Sequence, residues 1–107
     1  MTAEEQAQAV DFAYLEGFVG GDAGIVLEVL ALFCQQAESW QAALTPENPD
    51  WRAVAHTIKG AARGVGARAL GDVCERAEFG SPDELPAVRA ALAEAMSEIA
   101  AYRVANG

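Results

Sequence analysis

The sequence predicts an all-α protein, an antiparallel four-helix bundle with a short additional N-terminal helix. Apolar residues recur at spacings of three and four along most of the chain, and no stretch alternates as a strand does. Hydrophobic residues make up 52% of the chain but aromatic residues only 7%, which favours closely packed helices over a β-sandwich. The connections between the predicted helices are short, as in an antiparallel bundle. We expect residues 1–107 to form a single domain with its core at about residues 11–103.

The first predicted helix is short and ends at Gly20–Gly21. Thr2 and Glu5 match a capping box that can open it, and Asp11 can start it again. Its expected apolar side consists of Phe12, Leu15, Phe18 and Val19.

The second helix is long and runs from a cap at Asp22 to about Leu44. Residues 45–49 form a loop, in which Asn48 is the expected N-cap of the third helix and Pro49 its first helical residue. The expected core stripe of the second helix consists of Val26, Leu30, Phe33, Ala37, Trp40 and Leu44.

The third helix is predicted from about Pro49 to Val65, with Gly66 closing it. Its apolar residues fall at alternating spacings of four and three, which is typical of a helix in a bundle. They are Trp51, Ala55, Ile58, Ala62 and Val65. Because each helical residue turns by about 100°, His56 lies about 160° from Ile58 and is expected to face solvent.

A fourth helix is predicted at residues 67–79, and residues 80–82 break it. Its inward residues are Leu70, Val73, Cys74 and Ala77. Ser81 and Glu84 match a capping box, but a helix starting there would place Pro86 in its interior at a cost of roughly 3 kcal/mol. We therefore expect a short turn at 82–85 and a last helix from Pro86 to about Val104. Its inward residues are Val88, Leu92, Ala95, Ile99 and Tyr102.

The net charge of −9 argues against nucleic acid and anionic membranes as partners. No apolar run is as long as a membrane span, and the acidic N-terminus does not resemble a signal peptide. Cys34 and Cys74 lack metal-type spacing and lie among apolar neighbours, which predicts buried core thiols in a reducing compartment. We therefore expect a cytoplasmic protein.

The basic residues are concentrated around the only histidine. All 16 acidic residues lie outside positions 51–71, and that window holds four of the seven basic ones: Arg52, Lys59, Arg63 and Arg68. His56 has Lys59 three positions and Gly60 four positions after it, on the same face of the helix. An imidazole can act as a nucleophile near neutral pH, an ammonium can hold an anion, and a glycine leaves room for another surface. The pattern indicates a site for carrying a phosphoryl group on histidine, with chance clustering of basic residues on a solvated helix face as the alternative.

This stretch resembles the motif of the histidine-containing phosphotransfer (HPt) domain family, which runs roughly His-x-x-Lys-Gly-small-small-x-x-x-Gly. The matching residues are His56, Lys59, Gly60, Ala61, Ala62 and Gly66, and Ile58 fills the family's apolar position. The resemblance extends over about residues 11–103 as helix lengths and breaks. One departure is Gly64, where the family often has a polar residue.

The resemblance implies that His56 is the phosphoacceptor and that Lys59 offsets the charge of the phosphoryl group. In the family a polar side chain on the following helix often hydrogen-bonds to the other ring nitrogen, and Glu78 occupies the matching position, with a merely solvated carboxylate as the alternative. Gly60, Arg63 and Arg52 are expected to lie where a partner docks. Receiver domains of the family's partners dock on an apolar patch beside the histidine. The candidates for this patch are Phe18, Val19, Ile25 and Leu27, with burial of all four as the alternative.

No glycine-rich nucleotide loop occurs in the chain, so the phosphoryl group is expected to come from another protein. The resemblance implies response-regulator receiver domains as partners, including that of a hybrid histidine kinase, with the receiver supplying Mg²⁺ and the carrier needing no cofactor of its own. A metal site is disfavoured because there is no second histidine. We expect a free-standing monomeric carrier. The alternatives are a kinase fragment, or a helical interaction module without phosphotransfer.

Overall fold

The computed structural model describes residues 8–107, and the capping box at Thr2 and Glu5 lies outside them. Within the described residues every regular element is helical. The helices are α1 (Phe12–Phe18), α2 (Ala23–Ala43), α3 (Trp51–Val65), α4 (Arg68–Glu78) and α5 (Leu85–Asn106), and a 3₁₀ turn at Pro82–Glu84 precedes α5.

Helices α2 to α5 form the predicted four-helix bundle. Each packs against the next along the chain, and α5 returns to α2, so the four helices enclose one core. The short α1 packs on α3 and α2. No single helix within residues 8–107 is long and apolar enough to cross a membrane.

The predicted core stripes are largely confirmed. All five stripe residues of α3 are buried, as are all those of α2 except Trp40, which is half-buried. Val73 of α4 and Tyr102 of α5 are also half-buried. Phe18 was wrongly assigned to the apolar side of α1: it is 75% exposed, because it is the last residue of α1 and lies about 60° around the helix from the buried Leu15, on the side away from Phe12.

The two N-terminal caps were predicted correctly. Asp11 accepts a hydrogen bond from the backbone N–H of Tyr14 at 3.1 Å, and Asp22 accepts one from Ile25 at 3.1 Å. Side chains of this type satisfy N–H groups that have no partner in the first turn of a helix.

The predicted start of α3 was two residues too early. Asn48 caps a turn ahead of the helix: its Oδ1 accepts from the N–H of Asp50 at 3.0 Å, and its Nδ2 donates to the carbonyl of Ala43 at 2.9 Å. Regular α-helical structure then begins at Trp51. The turn before α5 was predicted correctly, and Pro86 lies in the first turn of that helix, where an N–H has no partner to lose.

Gly66 joins the end of α3 to the segment before α1. Its φ of +87° is in the left-handed region, and a Cβ there would lie 2.6 Å from the carbonyl oxygen of Asp11. Its own carbonyl accepts from the N–H of Asp11 at 2.9 Å. The close approach of two backbones therefore requires glycine.

The two cysteines differ in burial, and both are free thiols. Cys74 is buried as predicted, and burial raises its pKa to about 12, so the thiol stays protonated and unreactive. Cys34 was also predicted to be buried but is only half-buried, beside rather than within the α2 stripe.

Candidate functional site

His56 projects from the outward face of α3, as the helical arithmetic predicted. Its side chain is 65% exposed, whereas Ala55 and Ile58 of the same helix are completely buried. The buried stripe therefore fixes the helix, and with it the direction in which the imidazole points.

One carboxylate holds both His56 and Lys59. Glu78, the last residue of α4, has Oε2 2.8 Å from Nδ1 of His56 and Oε1 2.7 Å from Nζ of Lys59. The Glu78 and Lys59 side chains are 16% and 14% exposed, so the pair is shielded while the imidazole is open. Glu78 was predicted only to contact the histidine, and its contact with the lysine was not foreseen.

The arrangement determines which ring nitrogen is free. The hydrogen bond from Lys59 first, and then the hydrogen bond and charge of His56, lower the pKa of Glu78 against the opposing effect of desolvation. The carboxylate is therefore ionised and can only accept hydrogen bonds. Nδ1 of His56 must be the donor, which leaves the lone pair of Nε2 directed away from Glu78 and available as a nucleophile.

An exposed aromatic ring, which the sequence analysis did not include in the site, lies beside Lys59. Phe79 follows Glu78, is 76% exposed, and has its ring centroid 5.4 Å from Nζ of Lys59. Large exposed aromatic residues next to a reactive group are frequent anchors for a partner protein. The signal in the sequence was an aromatic residue at the break that ends α4, directly after Glu78, which was expected to contact the histidine.

Gly60 lies on the exposed side of α3, one turn after His56. A Cβ at this position would meet no atom within 4 Å, so packing within the domain does not require glycine. A glycine in a helix costs about 1 kcal/mol relative to alanine. The open space in front of Gly60 is therefore consistent with the predicted approach of a partner.

The two arginines expected at the docking surface make different contacts. Arg52 donates from Nη1 to the carbonyl oxygens of Glu78 and Gly80, at 3.1 and 2.9 Å. Among residues 8–107, the ion pairs of Arg63 are loose, with Nη2 3.7 Å from Asp72 and 3.6 Å from Glu75, and all three side chains are exposed. Arg63 therefore remains accessible to a partner, whereas Arg52 is bound to the end of α4.

The four apolar docking candidates are neither all exposed in one patch nor all buried. Phe18 and Ile25 are exposed, Ile25 by 43%, while Val19 and Leu27 are half-buried. Leu27 lines a depression at the far end of α5 together with Val104.

A second apolar stripe on α2, which the sequence analysis missed, borders the helix that carries His56. Leu32 is 58% exposed and lines a groove with Thr57, and Val29 lines a groove of about 270 Å³ with Ala61 and Gly64. Their spacing from Ile25, four and then three residues, is the signal that could have revealed this stripe.

Within residues 8–107 no group of three or more histidine, cysteine, aspartate or glutamate side chains is arranged to hold a metal ion. What the site offers chemically is an exposed imidazole nitrogen, a shielded ammonium beside it, and a carboxylate that holds both.

Comparison with known proteins gives two matches. The family model described as Hpt domain matches residues 28–102. The crystal structure of the histidine phosphotransferase ShpA from Caulobacter crescentus is similar to this structure, with a TM-score of 0.80 and 56% sequence identity over 89% of this chain and 90% of that chain. A comparison with curated proteins gave no match.

Proposed function

The chain belongs to the Hpt domain family, and we propose that Nε2 of His56 is the atom on which it carries a phosphoryl group. The predicted function, histidine phosphotransfer in a two-component phosphorelay, is confirmed by the family match and by the similarity to a histidine phosphotransferase. The assignment to His56 rests on one observation above all. The carboxylate of Glu78 binds Nδ1 and leaves Nε2 of a 65% exposed imidazole free.

The transfer step follows from this arrangement. The Nε2 lone pair attacks the phosphorus of an aspartyl phosphate on the partner, the bond between phosphorus and the aspartate oxygen breaks, and the carboxylate leaves with the electron pair. The imidazole keeps its proton on Nδ1 and becomes positively charged. The negative charge of Glu78, 2.8 Å away, stabilises this cation. In a second transfer, which is the same chemistry in the opposite direction, the carboxylate of another aspartate attacks the phosphorus and the bond between phosphorus and Nε2 breaks.

Lys59 is proposed to offset the charge of the phosphoryl oxygens. Phosphoryl transfer passes through a loose transition state, so positioning and charge matter most. Glu78 holds Nζ of Lys59 at 2.7 Å on the side of α4 that also faces His56. The ammonium is thus kept next to the imidazole before the phosphoryl group arrives, and it exchanges part of its contact with Glu78 for the phosphoryl oxygens.

Hpt domains in phosphorelays partner with response-regulator receiver domains, and we propose a docking surface for such a partner around His56. It comprises the open face at Gly60, the ring of Phe79, and the α2 stripe of Val29 and Leu32. The basic residues near His56 favour the approach of an acidic phosphorylation pocket. The receiver, which we propose is in some cases that of a hybrid histidine kinase, supplies Mg²⁺. We further propose that the carrier acts as a monomer in the cytoplasm.

Incubation with a phosphorylated receiver domain tests the proposal. The chain should acquire an acid-labile, alkali-stable phosphate, and mass spectrometry should place it on His56. His56→Gln should abolish the label while the circular dichroism spectrum stays helical, because this side chain contributes nothing to the core. Persistent labelling of the folded Gln variant would refute the assignment. Binding of receivers without any label on the wild-type chain would favour the alternative, an interaction module without phosphotransfer.

A further inference from the structure

We propose that Arg52 is a positioning residue, whose guanidinium holds the end of α4 so that Glu78 stays against His56 and Lys59. This inference rests on the proposed function, and it assigns to Arg52 a role different from the docking role expected from the sequence.

The end of α4 lacks the cap that closes α3. At the end of α3, Gly66 adopts a left-handed conformation, and the N–H groups of Gly66 and Ala67 bond back to the carbonyl of Ala62. At the end of α4, neither Phe79 nor Gly80 has a positive φ. The last carbonyls of a helix have no partner in a continuing helix, so a side chain, a water molecule or a tighter backbone turn has to satisfy them.

Arg52 satisfies the carbonyl of Glu78, the last residue of α4, and the carbonyl of Gly80 just beyond the helix. Its Nη1 donates to the carbonyl oxygens of Glu78 at 3.1 Å and Gly80 at 2.9 Å. Its positive charge also interacts favourably with the negative end of the helix dipole. The backbone turns tightly here, since a Cβ on Gly80 would lie 2.6 Å from the carbonyl oxygen of Arg76. The guanidinium itself lies 4.4 Å from the ring centroid of the buried Trp51, which limits its motion.

The contacts of α3 with this end of α4 form one set. Arg52, His56 and Lys59 lie at positions i, i+4 and i+7 of α3, on one face. The first holds the backbone of Glu78, and the other two hold its carboxylate. Because Glu78 is the terminal residue of its helix, releasing the backbone would let the carboxylate drift from Nδ1. The preference of His56 for the proton on Nδ1 would then weaken.

The tautomer of His56 in the isolated domain is therefore the primary readout. Nitrogen-15 NMR distinguishes the Nδ1–H from the Nε2–H form. The Glu78→Ala variant gives the tautomer ratio expected when the carboxylate is completely lost. We expect Arg52→Gln to move the tautomer ratio part of the way towards that of Glu78→Ala. Arg63→Gln is the matched control. This variant removes the same charge from the same helix. Because Arg63 contacts Asp72 and Glu75 rather than the end of α4, the variant should keep the wild-type tautomer ratio.

Kinetics separate positioning from docking. For transfer from a phosphorylated receiver, positioning by Arg52 predicts that Arg52→Gln lowers kcat by about fivefold with little change in KM, on the scale of one lost hydrogen bond. A docking role would instead raise KM and leave the tautomer ratio unchanged. A folded Arg52→Gln variant with a wild-type tautomer ratio overturns the proposal.

If Arg52→Gln does not fold, Arg52→Lys replaces it, because lysine keeps the charge but its side chain ends one atom short of Nη1, the atom that makes both contacts. A wild-type tautomer ratio in that variant is then the overturning result. The tautomer measurement needs no partner, so failure of phosphotransfer to occur at all would count against the proposed function and not against the role of Arg52.

Discussion

Two glutamates of this small domain each accept one hydrogen bond on each carboxylate oxygen, but their donors differ. Glu78 accepts from two ionisable side chains, His56 and Lys59. Glu98 of α5 accepts from two backbone amides, with Oε2 2.6 Å from N of Ala9 and Oε1 2.9 Å from N of Val10.

The partners decide what each carboxylate does. Backbone amides cannot titrate or move to a new ligand, so Glu98 pins the segment before α1 to the bundle and helps to bury Val10 completely. The donors of Glu78 are a nucleophile and a mobile cation, so the same type of contact prepares a reaction. A carboxylate with two hydrogen bonds thus serves a reaction or stabilises the fold according to the chemistry of its donors.

The largest expected effect is that of Glu98→Ala on stability. It removes two hydrogen bonds to a charged acceptor and should lower the free energy of unfolding by about 2 kcal/mol. For a domain of this size that corresponds to a fall in Tm of about 10 °C. Phosphotransfer measured well below the Tm should stay near wild type.

Thermal unfolding followed by circular dichroism measures this change. Glu94→Ala is the matched control, since Glu94 is an exposed glutamate one turn earlier on α5. Equal Tm values for the two variants would show that Glu98 does not act as a brace.

The next effect is that of Glu78→Gln on transfer. The amide is nearly isosteric but neutral, and it replaces charge-assisted hydrogen bonds by weaker ones. We expect the rate of phosphorylation of His56 to fall roughly tenfold, which is about 1.4 kcal/mol, with a smaller effect on Tm than that of Glu98→Ala. Rapid-quench kinetics with a phosphorylated receiver measure the rate. A rate equal to wild type would break the contrast between the two glutamates.

The pKa of Glu78 reports directly on its contact with Lys59. Its pKa is lowered from 4.5, chiefly by the hydrogen bond from Lys59. Since the folded-state pKa is the lower one, the stability from this group is fully present above pH 4.5 and is lost as the pH falls through the folded-state pKa. Lys59→Met should raise the pKa of Glu78 towards 4.5, as measured by carbon-13 NMR of the carboxyl group. An unchanged titration midpoint would show that Lys59 does not hold the carboxylate in solution.

The smallest effect is expected from Gly60→Ala. This variant tests whether the glycine lowers the stability of the domain while leaving the surface beside His56 free for a partner. The new methyl group meets no atom within 4 Å, so the variant should gain about 1 kcal/mol from helix propensity. Gly66→Ala should do the opposite, because its φ is positive and its Cβ would meet the backbone of Asp11 at 2.6 Å. Chemical denaturation of both variants measures the difference. Loss of stability in Gly60→Ala would mean that the domain itself requires this glycine.

Much of the fold was determined by the sequence, because it depends on local periodicity. Regular spacing of apolar residues predicted all five buried positions of α3 and, by the same arithmetic, the outward direction of His56. The caps at Asp11 and Asp22 follow from side chains that bond to amides three residues away. Periodicity also explains the error at Phe18: a spacing of three residues from Leu15 suits an apolar face, but it does not show which residues of that face a neighbouring helix covers.

The contacts between the residues of the site were decided only by the tertiary structure. The resemblance to the HPt family pointed to Glu78 as a partner of the histidine, but the bond spans 22 residues of sequence and exists only because α3 and α4 pack side by side. The same packing brings Lys59 to the second oxygen of Glu78 and Arg52 to carbonyls 26 and 28 residues away. A helix sequence specifies which side chains share a face, whereas the neighbour that this face meets depends on how the whole core closes.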